Sequence, residues 1–356
     1  MRETTRVSRL CIVSPRREDA ALRESEAERF DRMVRALRRG GLEVDHITAS
    51  DPTETGNEFD RLRPDMIFGS FFRFPAADTG GARYLRDIAI AAGIAWIGSY
   101  SDTMELALSK PRMKAHLRLW GIPTPDWFTV RKLKDGSIDG LELIDGARDF
   151  PYIVKPAGEG NSRGIDEGSV VRQPLDLHSK ASSVAERYGE ALIEKFVSGG
   201  EDSREFTIAM IGNGEGAIVA PVEIVKKLPG SSVIAEADKE YQTTAIRPIE
   251  DRQLRAKVVR LARKVFLTAR ARDYARCDIL LYEGKLYVIE MNGQPMVPDR
   301  WFAACAMEAG LDEDQYLNAI VLASMLGNAK SGYAFVPLAR EMQALLPKPI
   351  LERLML

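Results

Sequence analysis

The 356-residue chain predicts a mixed architecture, a parallel α/β layer followed by an α+β region, and three observations carry that prediction. Short apolar strands alternate with amphipathic helices through the N-terminal part, the pattern of a parallel sheet with crossover helices. Beyond Gly121-Ile122-Pro123-Thr124-Pro125 the strands come in hairpin-like runs with only occasional helices. Further on, Arg276-Cys277-Asp278 and Glu290-Met291-Asn292 flank a short turn and place several charged groups on one hairpin.

Taken in order, residues 9–13 (RLCIV) form the first strand. Ala20 to Arg39 is a charged helix with Phe30, Met33, Val34 and Leu37 on one stripe, ended by Gly40-Gly41. Strands follow at 42–47 and 65–69, a helix at Tyr84–Ala92, and a strand at Ala95-Trp96-Ile97 after Gly93. The first domain is expected over 1–105. Helical signals from Thr103 to Trp120 are interrupted at Pro111. A central segment, 106–190, and a third, 191–330, share strand-like runs at 152–155, 169–171, 191–196, 206–211 and 217–225. Helices are expected at 174–188 and 251–270, and two more within 303–326. Residues 226–245 are polar, partly Gly/Ser-rich and flanked by lysines, and read as a mobile loop. A helical tail, 331–356, contains a helix at 338–345.

Composition narrows the function. At 45% hydrophobic and 29% charged residues the chain is an ordinary soluble globular protein. A net charge of −2 gives no basic field for nucleic acid. No apolar run approaches the ~20 residues of a membrane helix. Met1-Arg2-Glu3-Thr4-Thr5 is polar and shows no secretory signal. Cys11, Cys277 and Cys305 sit in apolar surroundings without metal-like spacing, as buried thiols of a cytoplasmic protein do. His46, His116 and His178 are too scattered for a histidine metal cluster. No G-x-G-x-x-G follows the first strand, which argues against a dinucleotide-dependent oxidoreductase.

Asp278, Leu280 and Tyr282 alternate with Cys277, Ile279 and Leu281 as in a strand, and residues 286–291 (LYVIEM) form its partner. If Glu283-Gly284-Lys285 all form the loop, Asp278 lies opposite Glu290, and Asn292 shares their face. Two acids and an amide oxygen on one surface suit Mg²⁺ held against phosphates. A two-residue turn would put the acids on opposite faces, and a hairpin with solvated carboxylates is the plainer alternative. Upstream, Lys155 ends an apolar strand and precedes Ala157-Gly158-Glu159-Gly160-Asn161-Ser162-Arg163-Gly164. Glycines let backbone N–H groups close on phosphate oxygens, although a plain hairpin turn has the same composition. The loop is no Walker motif, and its glycine spacing is one residue too long for the dinucleotide fingerprint. Lys110 on its own reads as a solvated helical lysine. The backbone of Glu194-Lys195-Phe196-Val197 could read an adenine edge and Glu205 could take ribose hydroxyls; an edge strand followed by a hairpin is the alternative.

In this order and spacing, the pieces resemble the ATP-grasp superfamily, most closely its D-alanine–D-alanine ligase-like carboxylate–amine ligases. The match runs from about Gly93 to Leu326 and includes Ser109-Lys110, Ile153-Val154-Lys155-Pro156, Glu205-Phe206-Thr207 and Glu290-Met291-Asn292-Gly293-Gln294-Pro295. The resemblance implies an ATP-grasp fold behind a parallel α/β (pre-ATP-grasp) domain, with 106–190 as lid and 191–330 carrying the metal site. It implies that Lys110, Lys155 and the loop containing Gly160 and Ser162 contact ATP phosphates. The backbone of Glu194, Lys195, Phe196 and Val197 would hold adenine, with Ile153, Phe196 and Leu280 on its faces and Glu205 on ribose. Asp278, Glu290 and Asn292 would carry one or two Mg²⁺ ions, with Mn²⁺ able to substitute. Arg276 would steady the acyl phosphate and the tetrahedral species. Lys239, with Lys226 and Lys227 as competitors, would close over the γ-phosphate from the 226–245 loop.

The likeness departs at the substrate side. Ser14-Pro15-Arg16-Arg17-Glu18 replaces the family's glycine-rich turn, Gly69 to Pro75 replaces its His-Gly segment, and Pro295-Met296-Val297-Pro298 replaces Pro-Gly-Met-Thr. Arg73 and Arg300 are candidate carboxylate anchors, and Phe71, Phe72 and Phe74 a candidate apolar pocket. Equally, those arginines could be surface residues and those rings core filling. The expectation is an ATP-dependent ligase joining a small-molecule acid, an amino acid or peptide-like one, to an amine in a specialised pathway, as a homodimer. A non-catalytic or kinase-like ATP-grasp protein is the alternative.

Overall fold

The computed structural model describes residues 7–16, 20–74, 83–160, 162–198, 203–226, 244–330 and 340–356, and three sheets organise them. The first is parallel, in the order β2-β1-β3-β4, from β1 (Arg9–Pro15), β2 (Glu43–Ala49), β3 (Met66–Gly69) and β4 (Ala95–Trp96). Helices α1 (Ala20–Arg39), α2 (Pro52–Leu62) and α3 (Leu85–Ala91) connect its strands. Helix α2 is not among the expected elements, because its residues are mostly polar. Asp51 caps it by accepting from the Thr53 and Glu54 N–H groups, Pro52 opens it, and Thr55, Phe59 and Leu62 form its buried stripe.

Helices α4 (Ser101–Leu108) and α5 (Lys110–Leu119) break at Ser109, not at Pro111. Ser109 caps α5, and Pro111 sits in the first turn, where a missing N–H costs nothing.

The middle sheet is antiparallel, in the order β6-β5-β9-β7-β8. Its strands are β5 (Trp127–Lys132), β6 (Ile138–Asp139), β7 (Tyr152–Pro156), β8 (Val170–Val171) and β9 (Glu190–Lys195), so it continues past the division expected at 190/191. Helix α6 (Glu142–Asp145) and the longer α7 (Pro174–Tyr188) accompany it. Val130, Val154, Leu177, Ala181 and Ile193 form a core of its own. Strand β5 was not foreseen because it buries Val130 alone.

The third sheet, β12-β11-β10-β13-β14, is also antiparallel, from β10 (Arg204–Ile211), β11 (Ile218–Lys226), β12 (Thr244–Arg247), β13 (Tyr274–Tyr282) and β14 (Lys285–Asn292). One face packs on α5 and α8 (Arg252–Thr268) through Leu117, Phe206, Val258 and Phe266. The other meets α9 (Arg300–Glu308) and α10 (Glu313–Lys330) in a core that continues into the first sheet through Leu10 and Phe68. Helices α11 (Arg340–Leu345) and α12 (Lys348–Leu354) close the chain's tail. All three cysteines are buried free thiols.

The β13–β14 turn corrects one expectation. Tyr282 pairs with Lys285, so the loop is the two residues Glu283 and Gly284, at φ 48 and 74, as a type I′ turn requires. By itself that register would set Asp278 and Glu290 on opposite faces. A β-bulge intervenes: Ile279 pairs with Val288, and the next pair is Asp278 with Glu290. Ile289 is the extra residue, and its insertion returns the two acids to one face.

Candidate functional site

The middle and third sheets face each other across a cleft of about 820 Å³, counting its open mouth. Alternate residues of β7, Ile153 and Lys155, point into it, joined by Glu194 at the end of β9 and by Phe196 and Val197 just beyond. From the third sheet come Glu205 on β10, Asp278 and Leu280 on β13, and Glu290 on β14. Lys110 enters from the start of α5 and Ser162 from the glycine loop. These eleven residues were all expected at the site. Ile165, Ser198, Ile289 and Trp301 also line the cleft and were not. Ile153 and Phe196 pack with Ile165 and Val170 as an apolar patch on the middle-sheet side, and Leu280 and Ile289 belong to the third-sheet wall.

The lysine end is an ion cluster. Lys155 Nζ donates to Glu194 Oε1 at 2.8 Å, while the other Glu194 oxygen is ion-paired with Lys114, whose Nζ also donates to Thr124 Oγ1 at 2.7 Å. Lys110 Nζ donates to the Glu159 carbonyl in the glycine loop. Glu194 is 2% exposed and Lys114 1%. Burial alone would raise the Glu194 carboxyl; Lys114 and Lys155 outweigh it and hold it below its ordinary value. Burial likewise pulls the Lys110 ammonium down. Sequence reasoning gave Glu194 only a backbone role and gave Lys114 none. The available signal was spacing, since Lys110 and Lys114 are four apart and share one helical face.

At the hairpin end, Thr207 Oγ1 donates to Asp278 Oδ1 at 2.7 Å. Arg276 Nε lies 3.5 Å from the same oxygen, and Nη1 donates to Asp299 Oδ2 at 3.4 Å. The guanidinium sits 5.2 Å from the Trp301 ring centroid, and Asp299 also caps α9 through the Trp301 and Phe302 N–H groups. Asn292 Oδ1 accepts from Gln294 N at 3.0 Å, and Gln294 Nε2 donates to the Gly69 carbonyl, tying the hairpin to β3. Among the described residues no three His, Cys, Asp or Glu side chains cluster as metal ligands. The donor set that could hold a metal is two facing carboxylates and an amide oxygen with a second lone pair, hard ligands that fit Mg²⁺ with phosphate completing the shell.

Other expected residues lie elsewhere. Lys195 ends β9 outside the cleft wall, and Gly160 is exposed in its loop. Arg73 is exposed and bridges to Tyr84 in a short backbone pairing, while Arg300 donates to the Thr244 carbonyl at 2.8 Å; neither lines the cleft. Phe72 and Phe74 are buried, and Phe71 meets Phe74 edge to face at 5.1 Å, so these rings fill the first sheet's core. Lys239 and Lys227 fall outside the described residues. Residues 226 and 244–245, expected in the loop, are strand residues.

Residues 117–322, more than half the chain, match the D-ala D-ala ligase C-terminus family. The uncharacterized protein y4sG of Sinorhizobium fredii is 28% identical over 239 residues, 65% of this chain and 66% of that protein. D-alanine–D-alanine ligase A of Bacillus cereus is 26% identical over 250 residues, 68% of this chain and 75% of that enzyme. The crystal structure of D-alanine–D-alanine ligase from Bacillus anthracis complexed with ATP matches with a TM-score of 0.70 at 21% identity, over 92% of this chain and 100% of that one. The hairpin, the lysine cluster and the paired sheets are thus found in a chain that belongs to the D-ala D-ala ligase family, an ATP-grasp carboxylate–amine ligase family, with a parallel α/β domain ahead of the grasp.

Proposed function

We propose that the protein is an ATP-dependent carboxylate–amine ligase that forms an amide bond through an acyl phosphate. The observation that carries this is the cleft itself, with Lys110 and Lys155 at one end and Asp278 facing Glu290 at the other. ATP is repelled by a carboxylate nucleophile until its charge is offset. In this reading Lys110, Lys155 and the loop at Gly160 and Ser162 take the phosphates. Ile153, Phe196 and Leu280 pack on adenine, the Glu194–Val197 backbone meets its edge, and Glu205 takes ribose. Asp278, Glu290 and Asn292 hold Mg²⁺, which supplies further neutralisation when bound. The acid's carboxylate oxygen attacks the γ-phosphorus and ADP leaves. The amine nitrogen then attacks the acyl carbon and phosphate leaves, carrying off the proton the nitrogen loses, with Arg276 steadying the negative oxygens. Lys239, carried by the segment after β11, is proposed to cover the γ-phosphate and help keep water out.

We also assign the acid to an amino acid or peptide-like molecule of a specialised pathway. The motif departures at Ser14–Glu18, Gly69–Pro75 and Pro295–Pro298 support that reading over D-alanyl-D-alanine synthesis. The test is ADP release across a panel of acids and amines that includes D-alanine. Release is expected to require one acid and one amine together, and D-alanine is expected to be a poor pair with itself. Asp278→Asn and Glu290→Gln should each lower turnover by roughly 10²-fold or more with the melting temperature retained. Full activity in both variants removes the metal assignment, and efficient D-alanyl-D-alanine formation refutes the specialised substrate.

A further inference from the structure

Lys114 follows Lys110 by one helical turn on α5, is almost completely buried, and does not line the cleft. It therefore does not touch a nucleotide bound there. Its ammonium is held between a Glu194 oxygen and Thr124 Oγ1, while the second Glu194 oxygen holds Lys155 Nζ at 2.8 Å. Burying an additional ammonium is unfavourable, and a Leu or Met would fill the same space at less electrostatic cost. The charge balance gives the position a purpose. Glu194 and Lys155 alone would cancel, leaving Lys155 to face the cleft as half of a neutral pair. Lys114 supplies a second cation on the far side of the carboxylate, so the trio keeps one net positive charge.

We propose that Lys114 is a positioning residue for phosphate binding: it neutralises Glu194 from behind and leaves the Lys155 ammonium uncancelled toward the cleft. It also fixes the Glu194 carboxylate, whose near oxygen aims Lys155 Nζ. The inference rests on the reading that this cleft binds ATP.

The experiment compares calorimetric binding of Mg·ADP and of adenosine to the full-length protein. Adenosine carries no phosphate and reports on the adenine end alone. Lys114→Met should weaken ADP binding on the order of 10- to 100-fold, the effect of one unit charge acting across a few ångströms of partly polar protein, and leave adenosine binding unchanged. Adding Glu194→Gln to Lys114→Met removes both charges, restores the trio's net positive charge and should recover most of the lost ADP affinity. A purely structural role would weaken both ligands together and make the double variant worse than the single. That result, or unchanged ADP affinity in Lys114→Met, overturns the proposal. If Lys114→Met does not fold, the double variant decides, since loss of its ADP binding with adenosine binding intact also overturns it. Wild-type protein that binds neither ligand refutes the nucleotide reading instead.

Discussion

Burial pushes the Lys114 ammonium down to about 8, against the opposing pull of Glu194; Lys155 lowers it further and Glu290 acts to raise it. The sign of the consequence is fixed. Below that pH Lys114 is charged and the cleft keeps its surplus cation; above it Lys114 is neutral, and Glu194 then cancels Lys155. The KM for ATP should therefore rise between about pH 7 and 9, more steeply than kcat changes, and Lys114→Met should lack that rise. Initial-rate profiles of the two proteins check this, and parallel profiles would count against a titrating Lys114. Lys155 was legible in the sequence because an apolar strand ended on it beside a glycine-rich loop, and Lys110 because the motif order singled it out. Lys114 was not, because a helical lysine ordinarily points to water and its burial is decided by residues distant in the chain, Thr124 and Glu194. Arg276 was singled out by the family resemblance, whereas its brace of Asp299 and Trp301 depends on where α9 begins.

The β13–β14 hairpin holds Asp278 opposite Glu290, the proposed metal donors, through two local devices, a two-residue turn and a bulge. Gly284 at φ +74 follows Glu283 at φ 48, both left-handed. Gly284→Val places a β-branched side chain in that region and should cost about 1–2 kcal/mol. Glu283→Asn keeps the turn with a residue that tolerates the conformation and should be neutral or slightly stabilising. Urea unfolding of the two variants measures both, and equal stabilities would remove the type I′ turn as a stability determinant. The two largely apolar runs either side of a turn announced the strands, and the facing of Asp278 and Glu290 was anticipated from the wrong turn. Nothing in LYVIEM marks Ile289 as the extra residue, because a bulge is set by tertiary contacts. Here the Val288 N–H donates to the Pro123 carbonyl at 2.8 Å, so a loop from before the middle sheet holds the edge strand at the point where the ladder slips. Likewise α1, with its apolar stripe, was read to its observed ends, while α2 was hidden by polar residues and is stabilised by its cap and by Phe59.

Across the whole molecule, the arrangement of cores says which parts open together. Residues 316–325 of α10 are all buried, because that helix is enclosed between the first and third sheets. Polar contacts lock the same junction: Ser324 Oγ and Asn328 Nδ2 donate to the Trp96 carbonyl, Asn318 Nδ2 donates to the Ala36 carbonyl, and the Gly98 N–H donates to Asp273 Oδ2 at 2.8 Å. Breaking that junction would leave several buried polar groups unpaired at once. The middle sheet has a separate core and meets the third sheet across the cleft. Local opening free energy follows buried apolar contact, so the middle sheet is the segment able to open without the rest. Native-state hydrogen exchange in low denaturant should therefore show amides of β5, β7 and β9 exchanging below the global unfolding free energy, with a weaker denaturant dependence than those of β1, β10 and β13. Mg·ADP, if it binds in the cleft as proposed, should raise protection in the middle sheet selectively. Identical exchange free energies in all three sheets, unchanged by the nucleotide, would mean that the cleft is no boundary and that the grasp does not open along it.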